Sequence, residues 1–191
     1  MKSEYRIYYT LDGAMPTVNS LVYNGAFQPR AKSIKAVAIA PDGQRGAVVD
    51  ETLAIPKIGW NILASSSERE KMSSAKAIDG NPNSLWHSQP TGAVQFIEID
   101  LGAAYDVSVF AYTPQRKHRE GMMAKGMLKI STDGRTWRDI DSFEFGNLID
   151  NPSKRKHLFE NKVNTRYIRI ESAEITGGGN SLSIAELDFY N

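Results

Sequence analysis

Alternating apolar and polar positions recur along this chain in short runs that turn residues separate. The clearest run is 95–102, where Ile97, Ile99 and Leu101 alternate with Glu98 and Asp100, and another follows at 107–112. A period of two predicts half-buried strands, because successive side chains point to opposite faces. No sustained helical period competes with it, and 73–78 has room for a single helical turn. The pattern predicts an all-β fold of the sandwich or jelly-roll type.

Turn signals and a connector divide these strands into two groups. Further strand patterns lie at 5–10, 33–39, 47–49, 127–131 and 184–190. Thr132-Asp133-Gly134 directly follows one of them and is a strong hairpin signal. Residues 55–59 include Pro56 and are typical of a short extended connector. We therefore predict two units, 1–55 and 60–191, each with its own core.

Composition excludes several classes of protein. The 191 residues carry a formal charge of only +1, without the basic footprint that a nucleic-acid binder needs. The absence of cysteine excludes structural disulfides and cysteine-ligated zinc. No apolar run approaches the roughly 20 residues of a membrane helix. The strand pattern begins almost at Met1, with no apolar signal core, which we interpret as a fragment cut from a longer protein.

A set of landmarks in the second unit resembles the discoidin family, also called coagulation-factor type-C domains. That family includes the family-32 carbohydrate-binding modules of bacterial glycosidases. The landmarks, in family order, are the loop 77–88 with Trp86, the strand 97–102, the segment 112–114, the hairpin 131–137, the strand 166–170 and the closing segment 183–187. The resemblance covers 60–191 and implies a discoidin-like jelly-roll β-sandwich that binds rather than catalyses. It also implies that Trp86 and Trp137 lie in the core.

The first unit has a resemblance of its own. Segments 8–17, 23–25 and 34–38 are similar to the small Ig-like β-sandwich module near the C-terminus of chitobiases and related hexosaminidases. The leading strand of that module would lie before Met1, so we expect a truncated module. The resemblance implies a structural, spacer-like role.

An oxygen-rich loop begins at Asp79 and suggests a structural calcium site. Calcium takes six to eight oxygen ligands and accepts both carboxylates and backbone carbonyls. In many discoidin-like sugar modules this loop and the last strand share a calcium ion. The resemblance implies side-chain ligands from Asp79, Ser84 and Glu186, and carbonyl ligands from Lys76, Asn81 and Ala185. The ordinary alternative is that Asp79 caps a turn and Glu186 pairs with a lysine.

The same resemblance implies a sugar site built from polar side chains. His87 follows the loop tryptophan, and Arg116 follows the Tyr-x-Pro strand. Because Gln115 is inserted before Arg116, His118 or Arg119 could take the same role. The alternatives are a satisfied rim histidine and a solvated charge.

Two further positions complete the predicted sugar site. Asn180 follows the three glycines at 177–179 and offers one amide. Glu70 lies in a loop that often adds an acidic contact in the family. Neither an aromatic residue shortly after His87 nor one in the 177–180 loop is present to stack on a sugar ring.

The carboxylates do not suggest an enzyme. Glu98 and Asp100 are two apart on a predicted strand, so both are expected to face solvent. No spaced acid/base pair stands out, and no Gly-x-Ser-x-Gly, His-Glu-x-x-His or phosphate-loop motif occurs. We expect no catalytic residue in this chain.

The expected function is that of a non-catalytic carbohydrate-binding region. The parent would be an exported bacterial glycoside hydrolase, extracellular or periplasmic, resembling an alpha-L-fucosidase or a beta-hexosaminidase with its catalytic domain tethered elsewhere. The expected ligand is a glycan with a terminal galactose-, fucose- or N-acetylhexosamine-like sugar. The alternatives are a phospholipid- or protein-binding discoidin module, for which Met122 and Met123 would form an exposed apolar loop tip, and a structural spacer. We expect neither nucleic-acid binding nor membrane insertion.

Overall fold

The structure is a computed structural model and describes residues 4–27, 29, 31–117, 120–177 and 179–191. The chain divides into two compact units between Pro56 and Lys57. Within these described ranges the only helical segment is a 3₁₀ turn, Ser74–Ala77, at the place where one helical turn was predicted. The prediction of an all-β fold is confirmed.

The first unit contains a four-stranded antiparallel sheet. Its strands are β1 (Arg6–Thr10), β2 (Leu21–Val22), β3 (Ser33–Ile39) and β4 (Val49–Thr52), in the order β2-β1-β3-β4. The predicted turns form as expected, because Asp12 accepts a hydrogen bond from the Ala14 N–H and Asp42 one from the Gln44 N–H. Strand β4 begins at the end of the apolar run 47–49 and continues through polar residues.

The second unit contains eight strands in one hydrogen-bonded network. They are β5 (Asn61–Ser65), β6 (Trp86–His87), β7 (Phe96–Thr113), β8 (Met122–Ser131), β9 (Arg138–Glu144), β10 (Arg155–Thr176), β11 (Ser183–Ile184) and β12 (Glu186–Tyr190). The order is β12-β7-β10-β8-β11-β6, with β5 added to β7 and β9 added to β8. This is the sandwich-like arrangement that was predicted.

Strand β7 is longer than its sequence pattern suggests. The alternating runs 95–102 and 107–112 appeared to be two strands, but both belong to one strand of 18 residues. Gly102 has a positive φ of 77° and lies so close to Gly59 that an added Cβ would be 2.8 Å from the Gly59 carbonyl oxygen. A glycine of this kind bends a strand without ending it. The apparent turn is therefore a kink within β7.

Glu98 and Asp100 of β7 were expected to face solvent, but the structure buries both. Each residue is only 8% exposed. Asp100 accepts hydrogen bonds from Arg166 Nε at 2.7 Å and Nη2 at 2.8 Å, and Glu98 forms an ion pair with Arg169. The alternation itself is correct, but arginines on the neighbouring strand β10 cover the two carboxylates, which sequence periodicity does not reveal.

Expectations about four large side chains can also be compared with the fold. Trp86 is fully buried, as predicted. Trp137 is only half-buried and lies just before β9, so its assignment to the core was wrong. Met122 is buried at the start of β8, together with its neighbour Met123. The two methionines therefore do not form an exposed loop tip.

Candidate functional site

Four segments of the chain meet beside the short strands β6 and β11. They are the segments that carry Arg69, residues 87–91, residues 120–121 and residues 180–183, and we call this region the loop site. His87 ends β6 and pairs in register with Ser183 of β11. The His87 Nε2 atom is 3.1 Å from Ser181 Oγ, and the Thr91 N–H donates to the Asn180 carbonyl at 3.3 Å. The segments 87–91 and 180–183 are thereby held together, and they carry two of the predicted sugar contacts.

Arg69 belongs to the loop site although the sequence analysis did not select it. Its Nε donates to the Ser88 carbonyl at 3.2 Å, and its Nη2 donates to Ser181 Oγ at 3.3 Å. Its backbone N–H also donates to the His87 carbonyl at 2.9 Å. Arg69 therefore links both segments, a role that no local motif announces because it depends on chain separations of 19 and 112 residues.

The neighbouring Glu70 lies elsewhere. Its side chain is 88% exposed, and its nearest charged partner is Lys71 Nζ at 3.8 Å. The structure therefore brings Arg69, rather than Glu70, into contact with the other loops.

The loop that carries Arg116 also reaches this region. The Ser183 N–H donates to the Gly121 carbonyl at 2.7 Å, and the Ser183 hydroxyl donates to the Glu120 carbonyl at 3.2 Å. Arg116 itself is exposed, whereas the preceding Gln115 is buried. His118 and Arg119, the competing candidates, lie outside the described residues.

His87 is the most enclosed of the predicted contacts. It is 5% exposed, and its Nε2 atom contacts the Ser181 hydroxyl. Little of this side chain is therefore accessible to a ligand, as the alternative of a satisfied histidine implies.

A second cluster surrounds the predicted calcium ligands. Asp79 accepts a hydrogen bond from the Asn81 N–H at 2.8 Å and from the Ser84 hydroxyl at 2.7 Å. The Ser84 Oγ atom is also 3.0 Å from the Asn81 carbonyl oxygen. The turn-capping alternative for Asp79 is therefore present in the structure.

Glu186, the predicted ligand from the last strand, is paired with a lysine. It is 4% exposed, and its Oε1 atom forms an ion pair with Lys57. Asp188 forms ion pairs with Lys57 at 3.0 Å and with Lys154 at 2.6 Å. Among the described residues, none donates a hydrogen bond to the buried Oε2 atom of Glu186.

The pKa of Glu186 depends on the charges around it, including that of the other predicted carboxylate ligand. Burial raises the pKa of Glu186, and Lys57 offsets only part of this effect. The negative charges of Asp188 and Asp79 raise that pKa further. Asp79 and Glu186 therefore repel each other across the cluster.

This arrangement fits a calcium ion on physical grounds. An unpartnered buried oxygen and mutually repelling carboxylates are the conditions that a divalent cation relieves. Within the described part of the chain, no group of three or more His, Cys, Asp or Glu side chains could hold a metal. A metal ion at this place would therefore need most of its ligands from backbone carbonyls, such as the predicted carbonyls of Lys76, Asn81 and Ala185.

The basic segment 154–157 has structural partners. Lys154 pairs with Asp188, and Arg155 donates hydrogen bonds to the carbonyls of Gly146, Asn147 and Asn151.

In the residues that the structure describes, no helix is long and apolar enough to cross a bilayer.

Comparison with known proteins agrees with this architecture. Residues 61–187 match the F5/8 type C domain, and residues 2–50 match the chitobiase/beta-hexosaminidase C-terminal domain. A sialidase of Micromonospora viridifaciens is 25% identical over 133 residues, which are 67% of this chain and 20% of that protein. The chain thus spans about a fifth of the length of this curated relative.

Two solved structures resemble the second unit closely. The module CBM32-3 from a family 31 glycoside hydrolase of Clostridium perfringens is 27% identical with a TM-score of 0.67, covering 72% of this chain and 94% of that one. The family 32 carbohydrate-binding module of C. perfringens NanJ, solved in complex with galactose, is 26% identical with a TM-score of 0.63, covering 72% and 98%. The chain belongs to the F5/8 type C (discoidin-like) family and carries a chitobiase/beta-hexosaminidase C-terminal module ahead of that domain.

Proposed function

We propose that this chain is a non-catalytic carbohydrate-binding region of a glycoside hydrolase, in which the second unit binds the sugar. The observation that supports this most directly is the meeting of the His87, Asn180 and Arg69 segments beside β6 and β11. Loops gathered at a sandwich edge are a usual place for recognition. The galactose complex of the NanJ module supports a sugar as the ligand.

The proposed ligand is a terminal galactose-, fucose- or N-acetylhexosamine-like sugar. His87, Arg116 and Asn180 are the proposed contacts to ring hydroxyls, with His118 as the competing candidate for the position of Arg116. Arg69 holds Ser181 and the Ser88 backbone in place beneath them. Because so few groups would contact one or two sugar rings, the affinity should be modest.

We also propose a structural calcium site in the second unit. Asp79, Ser84 and Glu186 would contribute side chains, and Lys76, Asn81 and Ala185 would contribute carbonyls. A bound ion would supply positive charge to the buried carboxylate of Glu186 and the exposed carboxylate of Asp79, and would thereby fix the 79–84 loop against the last strand. The unpartnered Glu186 Oε2 supports this assignment.

The setting that we propose is an exported bacterial protein, extracellular or periplasmic. The catalytic domain of a fucosidase- or hexosaminidase-like parent would be tethered to this region, and the first unit would act as a spacer. The support is the match of residues 2–50 to the chitobiase/beta-hexosaminidase module and the glycoside-hydrolase origin of the CBM32-3 neighbour. Phospholipid insertion is disfavoured because Met122 and Met123 are buried.

The test is a glycan array followed by titration calorimetry with the best sugar. We expect His87→Ala and Arg116→Ala each to weaken binding about tenfold or more, because each removes hydrogen bonds from a small contact. Lys117→Ala is the matched control, since it removes an exposed charge from the same loop as Arg116. Binding should change little with salt, because the ligand is neutral.

Two outcomes would count against the proposal. Unchanged binding in both site variants would place the sugar elsewhere on the molecule. Failure of the wild-type chain to bind any sugar on a broad array would favour a protein-binding or spacer role.

A further inference from the structure

Lys57 occupies an unusual position next to the proposed calcium site. Its side chain is only 18% exposed, and its ammonium group contacts Glu186 Oε1 and, at 3.0 Å, Asp188 Oδ1. The same ammonium is 5.6 Å from the centre of the Trp60 ring. The ammonium group of Lys57 thus already forms an ion pair with the carboxylate that is proposed to bind calcium.

Glu186 needs such a cation when no metal is bound. A buried carboxylate without a partner is costly, and removal of one member of a buried ion pair is strongly destabilising. Lys57 contacts only one of the two Glu186 oxygens, because Oε2 has no partner among the described residues. One oxygen of the carboxylate is therefore paired with a cation, while the other is buried without a hydrogen-bond partner among the described residues.

The charge of Lys57 also acts on any metal ion that shares Glu186. Like charges a few ångströms apart in a partly buried site repel by several RT, even at the moderate effective dielectric of a protein. The same lysine that stabilises the metal-free cluster must therefore weaken the binding of a divalent cation.

We propose that Lys57 is a built-in counter-ion that keeps the module folded without calcium and lowers its calcium affinity. The inference rests on the proposed calcium site, and it predicts that calcium adds stability to a module that does not require it. A chain without this lysine would depend on calcium more strongly and bind it more tightly.

Lys154 provides a charge-matched control in the same cluster. It pairs with Asp188 at 2.6 Å, whereas Lys57 forms the ion pair with Glu186. Lys154→Met therefore removes one positive charge of the cluster and leaves the Lys57–Glu186 pair in place. Lys57→Arg keeps the charge and tests whether charge, rather than lysine geometry, is responsible.

The experiment is calorimetric titration of the metal-stripped full chain with calcium chloride, combined with thermal melting with and without chelator. We expect Lys57→Met to bind calcium about tenfold more tightly than wild type, and Lys57→Arg and Lys154→Met to remain close to wild type. The chelator-induced fall in Tm should be larger in Lys57→Met than in wild type by roughly 3 °C or more. If metal-free Lys57→Met is unfolded, calcium should restore its transition.

Asp79→Ala separates the possible failures. It should abolish calcium binding in both the wild-type and the Lys57→Met background. Equal calcium affinity and equal chelator effect in wild type and Lys57→Met would overturn the role of Lys57 while leaving the calcium site intact. Absence of calcium binding in every variant would overturn both the calcium site and the inference, whereas sugar binding is measured separately and would be unaffected.

Discussion

At the scale of single residues, the second unit neutralises its buried carboxylates with specific cations. Glu98 pairs with Arg169, which also lies 3.9 Å from the centre of the Phe96 ring. Asp100 pairs with Arg166 through two hydrogen bonds. These pairs allow charged residues to occupy a central strand at low exposure, because each buried charge has a partner.

The Asp100–Arg166 pair predicts a pH dependence of stability. Hydrogen bonds from Arg166 lower the pKa of Asp100, with a further contribution from the Gly102 N–H, although burial opposes them. A lowered pKa in the folded state stabilises the fold above the unfolded value of about 4. This stability is lost as the pH falls below that value.

The measurement is the urea midpoint of wild type and Asp100→Asn at pH 7 and at pH 3. Asp100→Asn should be less stable than wild type at pH 7. The difference should shrink at pH 3, because the carboxyl of unfolded wild type is then protonated and folding must release that proton. Asp50→Asn is a suitable control, because Asp50 forms only an exposed pair with Lys35. A difference between wild type and Asp100→Asn that does not change with pH would contradict this account.

At the scale of elements, strand β8 contains a glycine, Gly126, that the alternation of apolar and polar residues along the strand does not explain. Gly126 pairs with Phe143 of β9 and with Ser172 of β10. A Cβ at this position would lie 2.5 Å from the Glu171 carbonyl oxygen and closer still to the Phe143 ring. The ring of Phe143 therefore packs directly over the backbone of β8.

Gly126→Ala should consequently destabilise the protein by about 1–3 kcal/mol through overpacking. That change corresponds to a fall in Tm of roughly 2–4 °C per kcal/mol for a chain of this size. Gly146→Ala is the control, because nothing lies within 4 Å of its added Cβ and its φ is not positive. A Tm for Gly126→Ala equal to that of Gly146→Ala would show that the Phe143 ring can move aside freely.

The elements also show which parts of the fold a sequence can predict. Strand β3 and the hairpin at Asp133 follow from alternation and turn chemistry, which are local properties of the chain. The continuity of β7 through Gly102 and the coverage of Glu98 by Arg169 depend on partner strands, so local patterns could not reveal them. In the loop site, His87 and Asn180 were predicted from family resemblance and stay predictions as sugar contacts, whereas the contacts of Arg69 depend on distant segments and have no local sequence signal.

At the scale of the whole molecule, the two units differ in how well they bury apolar surface. The core of the second unit includes fully buried aromatic residues such as Trp86, Phe110 and Tyr112. In the described part of the first unit, the large side chains Ile7, Leu21 and Val49 are all exposed. A single four-stranded sheet in about 56 residues has little apolar surface to offset its loss of conformational entropy.

This contrast predicts different behaviour of the separated units. Residues 57–191 alone should show a cooperative thermal transition by calorimetry, a fixed near-UV circular dichroism signal and the same sugar affinity as the full chain. Residues 1–56 alone should show neither cooperative unfolding nor a near-UV signal, because a single small sheet with few buried apolar side chains, among them Val37 and Ile39, is marginally stable. A point variant of the second core, Phe110→Ala, should remove about 3–5 kcal/mol from the 57–191 transition and so confirm that the transition reports this core. Failure of 57–191 to fold, or a cooperative transition in 1–56, would show that the assignment of stability to the second unit is wrong.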